Sequence, residues 1–70
     1  MRTISDIIRD AGGARAIHEA SGGAFSADAV YKWLSIGIPD RHWPLLIRLS
    51  GATPEELFKA NSAARRETAA

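Results

Sequence analysis

The stretch Ser26-Ala27-Asp28-Ala29-Val30-Tyr31-Lys32-Trp33-Leu34-Ser35-Ile36-Gly37 decides the fold. Ala29, Val30, Trp33 and Leu34 recur at helical spacing and define one face to be buried. Tyr31, Lys32 and Ser35 point the other way. Ser26 precedes this pattern as a good N-cap, because its side-chain oxygen accepts a backbone N–H that the first turn leaves unpaired. Asp28 in that turn favours the positive end of the helix dipole. Gly37 stands one residue past Ile36, where a helix stops.

The chain on either side carries the same kind of punctuation. Upstream, Thr3 caps a first helix, with Asp6 placed for a capping box. Ile4, Ile7, Ile8 and Ala11 follow at helical spacing until Gly12-Gly13. A second short helix is expected over Ala14–Ala20, with Ala16, Ile17 and Ala20 as a narrow stripe of small residues. Ser21-Gly22-Gly23-Ala24 is a turn, and Phe25 reads as a core plug beneath it.

Downstream, Ile38-Pro39-Asp40 leads into a fourth helix. Pro44 has no N–H and belongs in its first turn, which places the N-cap near Asp40. Trp43, Leu46, Ile47 and Ser50 share a face, with Leu45 and Leu49 on its flank, and Gly51 ends the helix. Thr53-Pro54-Glu55-Glu56 starts a fifth helix, in which Leu57 and Phe58 are expected to face inward. From Ala60 onward nothing is both large and apolar, so the chain either frays or extends that helix without packing. No segment alternates with period two. The expected fold is all-α, a compact bundle of about five short helices, with a domain over residues 1–59 and an Ala/Arg-rich tail over 60–70.

Composition limits what this bundle can be. A chain of 70 residues with no cysteine has neither disulfide staples nor a thiolate metal site. It buries only about 60% of the surface its unfolded form exposes, so it needs efficient packing or a second copy. At 46% hydrophobic and 24% charged residues it is ordinary for a folded domain rather than a disordered one. No apolar run approaches the ~20 residues of a membrane span. The first residues, Met1-Arg2-Thr3-Ile4-Ser5-Asp6, include an acid and no apolar segment, so no signal peptide is expected. The expected location is the cytoplasm, at the nucleoid. The net charge of +1 is too small for bulk attraction to nucleic acid. Positive charge would have to be arranged locally or doubled by dimerisation.

The second and third helices carry the chemistry. A short helix rich in small residues, a tight turn and a Ser-capped two-faced helix describe a helix-turn-helix. In that motif the second helix lies in the major groove and its first turns reach base edges. Here Ser26, Ala27, Asp28, Tyr31, Lys32 and Ser35 form the outward side. Lys32 can reach a guanine edge or a phosphate, Ala27 a thymine methyl, and Asp28 can accept from cytosine N4.

Three ordered stretches resemble a known family. They are Gly12-Gly13-Ala14-Arg15-Ala16-Ile17, then Ser26-Ala27-Asp28-Ala29-Val30-Tyr31-Lys32-Trp33, then Gly37-Ile38-Pro39-Asp40-Arg41-His42-Trp43-Pro44-Leu45-Leu46. They look like the Cro-like and YdaS-like helix-turn-helix regulators of phages and prophages, and the resemblance covers residues 4–58. It implies a λ-repressor-like domain that binds operator DNA as a homodimer. By position, Ser26, Ala27, Asp28, Tyr31 and Lys32 would contact bases. Arg15, Ser35, Arg41 and His42 would contact phosphates. The chain departs from the family pattern in a longer turn at Gly22-Gly23-Ala24, in His18 and Ser21 where a small and a large apolar residue are usual, and in Asp28 where a neutral amide is usual.

Plainer readings account for the remaining conspicuous residues. Trp33 and Trp43 fit the core better than stacking platforms. His18 and His42 have no partners at metal or catalytic spacing, and no nucleophile–base set exists, so no enzyme, metal or cofactor is expected. The paired glycines are punctuation, since no Gly-Lys-Ser/Thr follows. Arg65-Arg66 reads as a solvated tail. Leu45, Leu49 and Phe58 are the expected dimer surface. The expected function is a sequence-specific, double-stranded-DNA-binding transcriptional regulator, a homodimeric repressor on a two-fold-symmetric operator. The competing expectation is a protein-interaction module, antitoxin-like or adaptor, on the same scaffold.

Overall fold

The computed structural model describes the backbone of residues 2–69 and the side chains of residues 2–65. Among the described residues it is all helical: α1 (Ile4–Asp10), α2 (Ala14–Ala20), α3 (Ala27–Ile36), a 3-10 turn (Asp40–His42), α4 (Trp43–Ser50) and α5 (Pro54–Ala69). α2 packs on α3, α3 on α5, and α1 on α4. The core between them is built from Ile4, Ile7, Ile17, Val30, Trp33, Ile38, Leu46 and Leu57, with alanines filling the close approaches. No described helix is long and apolar enough to cross a membrane.

Most helix starts follow from their caps. The Asp6 N–H donates to Thr3 Oγ1 and the Thr3 N–H donates to Asp6 Oδ2, both at 3.1 Å, closing the capping box of α1. The Thr3 N–H holds the Asp6 carboxyl below its ordinary range. The Ala29 N–H donates to Ser26 Oγ at the start of α3, and the Glu56 N–H donates to Thr53 Oγ1 at the start of α5.

The start of α4 differs from the sequence expectation. An N-cap at Asp40 would make Pro44 the residue whose N–H bonds the Asp40 carbonyl, and Pro44 has no N–H; its ring would also press on that carbonyl. The chain instead tightens into the 3-10 turn, in which the Trp43 N–H bonds the Asp40 carbonyl. The α-helix begins at Trp43, with His42 at the cap.

Three apolar assignments are corrected. Leu34 is 44% exposed and Phe58 64% exposed, and Ala20 is exposed as well. The inward face of α3 is narrower than expected, centred on Val30 and Trp33. On α5, a step of one residue turns Phe58 away from buried Leu57.

The segment after Lys59 is also not a loose extension. α5 runs through it unbroken, and Ala60, Asn61 and Ala64 are buried. Asn61 Oδ1 accepts the Ile38 N–H at 2.8 Å, and its Nδ2–H donates to the Ile38 carbonyl at 2.9 Å. Trp43 Nε1–H donates to the same carbonyl at 2.9 Å. The backbone of one residue, Ile38, therefore joins the end of α3, the start of α4 and the middle of α5. Gly37 makes this approach possible: its φ is +90° and a Cβ there would lie 3.1 Å from Asn61 Oδ1.

Candidate nucleic-acid interface

The outer side of α3 is set by what its inner side must do. Val30 is fully buried and Trp33 is 3% exposed, which fixes the rotation of the helix. Tyr31 is then 61% exposed, with Asp28, Lys32 and Ser35 exposed beside it. The Ser35 hydroxyl donates to the Lys32 carbonyl at 3.2 Å. Ser26 is exposed, but its oxygen already accepts the Ala29 N–H as the helix cap. Ala27 departs from the expected outward set: it is half-buried and packs against the core.

The residues expected at phosphates sit in three different environments. Arg15, on α2, is well exposed, and its Nε lies 3.3 Å from Glu19 Oε1 one turn on. Such a surface pair stabilises little, so an anion can compete for the guanidinium. Arg41 is exposed on the 3-10 turn, and its Nε–H donates to His42 Nε2 at 3.4 Å. His42 is half-buried. Its ring stacks on Trp33 at 5.5 Å and meets the Phe25 ring edge-on at 4.6 Å. Burial, and then the Arg41 charge, push its pKa below the ordinary histidine value. A neutral imidazole enclosed by two aromatic rings is a weak phosphate ligand, so Arg41 is the better placed of the pair.

The connection between α2 and α3 spans residues 21–26. It is organised by His18, whose Nδ1–H donates to the Phe25 carbonyl at 2.5 Å. Phe25 is half-buried, and its ring also lies 5.0 Å from that of Trp33. The connection is thus fixed at Phe25 from both sides, while Gly22, Gly23 and Ala24 of the longer turn are exposed. The sequence marked Phe25 as a plug, but the histidine contacts carry no local signal, since they join residues distant along the chain.

Of the expected dimer residues, Leu45 and Leu49 are half-buried and packed against the protomer's own core. The apolar arc of α4 is largely used within the chain. Phe58 is the widely exposed member of the three, and Leu34 and Ile36 are exposed apolar residues elsewhere on the surface. Among the described residues no three His, Asp or Glu side chains converge as a metal-binding group.

Sequence reasoning missed Asn61 and Arg2. Arg2 Nε–H donates to Glu56 Oε2 at 2.9 Å, and its Nη1–H groups reach Asp10 Oδ2 and the Ser50 carbonyl. It clamps the chain start onto the α4–α5 connection. A partner 54 positions away leaves no periodic trace. Asn61 was discoverable, because Leu57, Ala60, Asn61 and Ala64 share helical spacing and only the polar identity of Asn61 concealed it.

The fold and this surface define an all-α bundle that offers one short two-faced helix to solvent. Compared with protein-family models, curated proteins and solved structures, the chain matches none of them.

Proposed function

We propose that this protein is a sequence-specific DNA-binding transcriptional regulator that works as a homodimer, with α2 and α3 as a helix-turn-helix and α3 in the major groove. The observation that carries the reading is the division of α3. Val30 and Trp33 are locked inward while Tyr31, Lys32 and Ser35 stand in solvent. A helix rotated this way by its own core presents polar side chains at a fixed angle, which is what base readout demands. Lys32 and Tyr31, with Ser26 and Asp28 at the helix start, take the base edges, and Ala27 at most adds a methyl contact from its exposed side. Arg15, Ser35 and Arg41 take phosphates, with His42 backing Arg41. The resemblance to Cro-like and YdaS-like regulators supports the same assignment.

Dimerisation follows from affinity. One short helix on a protomer of net charge +1 falls short of the ~10⁻⁸–10⁻¹¹ M typical of specific binding. Two copies with their reading helices about 34 Å apart span one turn of DNA and double the contacts. Phe58, together with the outer edges of Leu45 and Leu49, is the proposed meeting surface.

The test is selection of bound sequences from random duplex DNA, followed by mobility shift. A two-fold-symmetric consensus is expected. Lys32→Ala and Tyr31→Ala should each weaken binding to that consensus, while Arg41→Ala should weaken all sequences alike and lower the salt slope by about one. Unchanged affinity in the first two variants, with intact helical spectra, removes α3 from the mechanism. The exposed apolar side chains of Leu34, Ile36 and Phe58 favour the second reading, a protein-interaction module. That reading predicts no retention on DNA resin at low salt.

A further inference from the structure

Phe25 is the last residue before the Ser26 cap, and it is gripped at two points by two different histidines. From α2, His18 Nδ1 meets its carbonyl at 2.5 Å. From the 3-10 turn, the His42 ring meets its side chain edge-on at 4.6 Å. Trp33 completes the cluster, 5.0 Å from Phe25 and stacked on His42 at 5.5 Å. Just upstream, Gly22 and Gly23 both have positive φ, a backbone conformation that glycine adopts at little steric cost, and both are exposed.

We propose that Phe25, His42 and Trp33 form an acid-releasable latch on the α2–α3 connection: neutral His42 keeps the Phe25 ring seated, and protonation of His42 unseats it. The proposal stands apart from the DNA-binding reading, because it concerns how the connection is held and not what α3 touches.

The two histidines respond differently to a proton. His18 must present an N–H at Nδ1, because a carbonyl only accepts. Imidazolium keeps that N–H, so acid leaves the His18 contact intact. His42 receives the Arg41 Nε–H at Nε2. Protonation at Nε2 removes that acceptor and sets a cation against the guanidinium. It also puts a charge on a ring half-enclosed by Phe25 and Trp33, and that charge needs water. Arg41 is the charged group acting on His42, and His18 is the titratable group on the other side of Phe25. The ring answers by turning towards solvent, which removes one wall of the Phe25 seat. Attraction of an imidazolium for the Trp33 face opposes this, so the direction of the His42 midpoint decides between the two.

The experiment is a pH titration of the full chain from 8 to 5 by NMR, following both histidine rings, the Phe25 ring protons and the backbone amides of residues 22–26. The latch predicts a His42 midpoint below 6.5, the ordinary value. It also predicts that the Phe25 ring and the connection amides titrate with that midpoint. Arg41→Gln should move the midpoint upward, and His42→Gln should abolish the shared titration. The proposal is overturned by a His42 midpoint above 6.5, or by connection amides that follow His18 or do not titrate. These wild-type readouts decide the matter even if His42→Gln fails to fold. DNA affinity takes no part in the test, so failure of the regulator reading leaves it untouched.

Discussion

Asn61 uses one side chain to close three elements, and it does so with both halves of its amide engaged. Its Oδ1 takes the buried Ile38 N–H and its Nδ2–H supports the Ile38 carbonyl. The two bonds are unequal in consequence. The carbonyl keeps Trp43 Nε1–H as a donor if Asn61 is lost, whereas among the described residues the Ile38 N–H has Asn61 Oδ1 as its acceptor and no second one. Asn61→Ala therefore strands a buried donor, a loss of about 1–3 kcal/mol. For a domain of this size the thermal midpoint should fall by about 4–8 °C per kcal/mol. Circular-dichroism melts of the variant and parent check this, and an unchanged midpoint refutes the role. A polar residue in a stretch of alanines and arginines reads as surface by composition. Only its spacing from Leu57 and Ala60 says otherwise.

At the scale of elements, legibility followed the nature of the signal. Caps and stops are local chemistry, and Thr3 with Asp6, Ser26, Gly37, Gly51 and Thr53 mark the ends where the helices begin or stop. The start of α4 is the exception, because the missing N–H of Pro44 limits a helix start only through the carbonyl four residues earlier, that of Asp40, which the Trp43 N–H takes instead. Faces were read less well than ends. A helix in a small bundle buries only the strip its neighbours reach, so Leu34 and Phe58 satisfy the spacing and still remain exposed. The candidate reading surface was legible for a related reason: two strongly buried residues, Val30 and Trp33, fix the opposite side. Cap chemistry can be separated from surface chemistry at Ser26. Its bond to the Ala29 N–H is long at 3.3 Å, so Ser26→Ala should cost about 0.5–1 kcal/mol, the low end for an N-cap. Ser26→Asp keeps an acceptor and should hold the parent's urea midpoint. If both variants unfold at the same urea concentration, Ser26 does not cap α3.

For the whole molecule, long-range contacts tie Arg2 to Glu56 and Asn61 to Ile38, and these pairings are illegible in the sequence because neither partner predicts the other, even where spacing marks a residue such as Asn61 as buried. Arg2 holds the Glu56 carboxyl below its ordinary range through their hydrogen bonds. His42 is likewise held below its ordinary value of 6.5 by burial. Both shifts mean that the unfolded chain takes up the proton first, so stability falls as the solution is acidified. The His42 contribution is complete above pH 6.5 and declines below it. The Glu56 contribution is complete above its ordinary value of 4.5 and is lost as pH falls towards the folded-state value. Urea midpoints should be flat from pH 7 to 8 and fall in two stages below that, and Glu56→Gln should shrink the lower stage to the part that the Asp6 carboxyl, also held below its ordinary range, contributes. The other end of the chain gives the sharper test. Read by composition, everything after Lys59 is dispensable. The structure puts Ala60, Asn61 and Ala64 in the core and packs α5 against α3. A stop codon after Lys59 strands the Ile38 N–H and uncovers the side of α3 that α5 packs on. It also leaves α5 fewer than two turns long, too short to persist unaided. Domains hold about 0.05–0.15 kcal/mol per residue, so a chain of this length has little stability to spare. The truncated chain should lose more helical signal than its deleted residues account for and should melt without a cooperative transition. A cooperative melt near the parent's midpoint would show that the last helix is an appendage and that Asn61 does not join the elements.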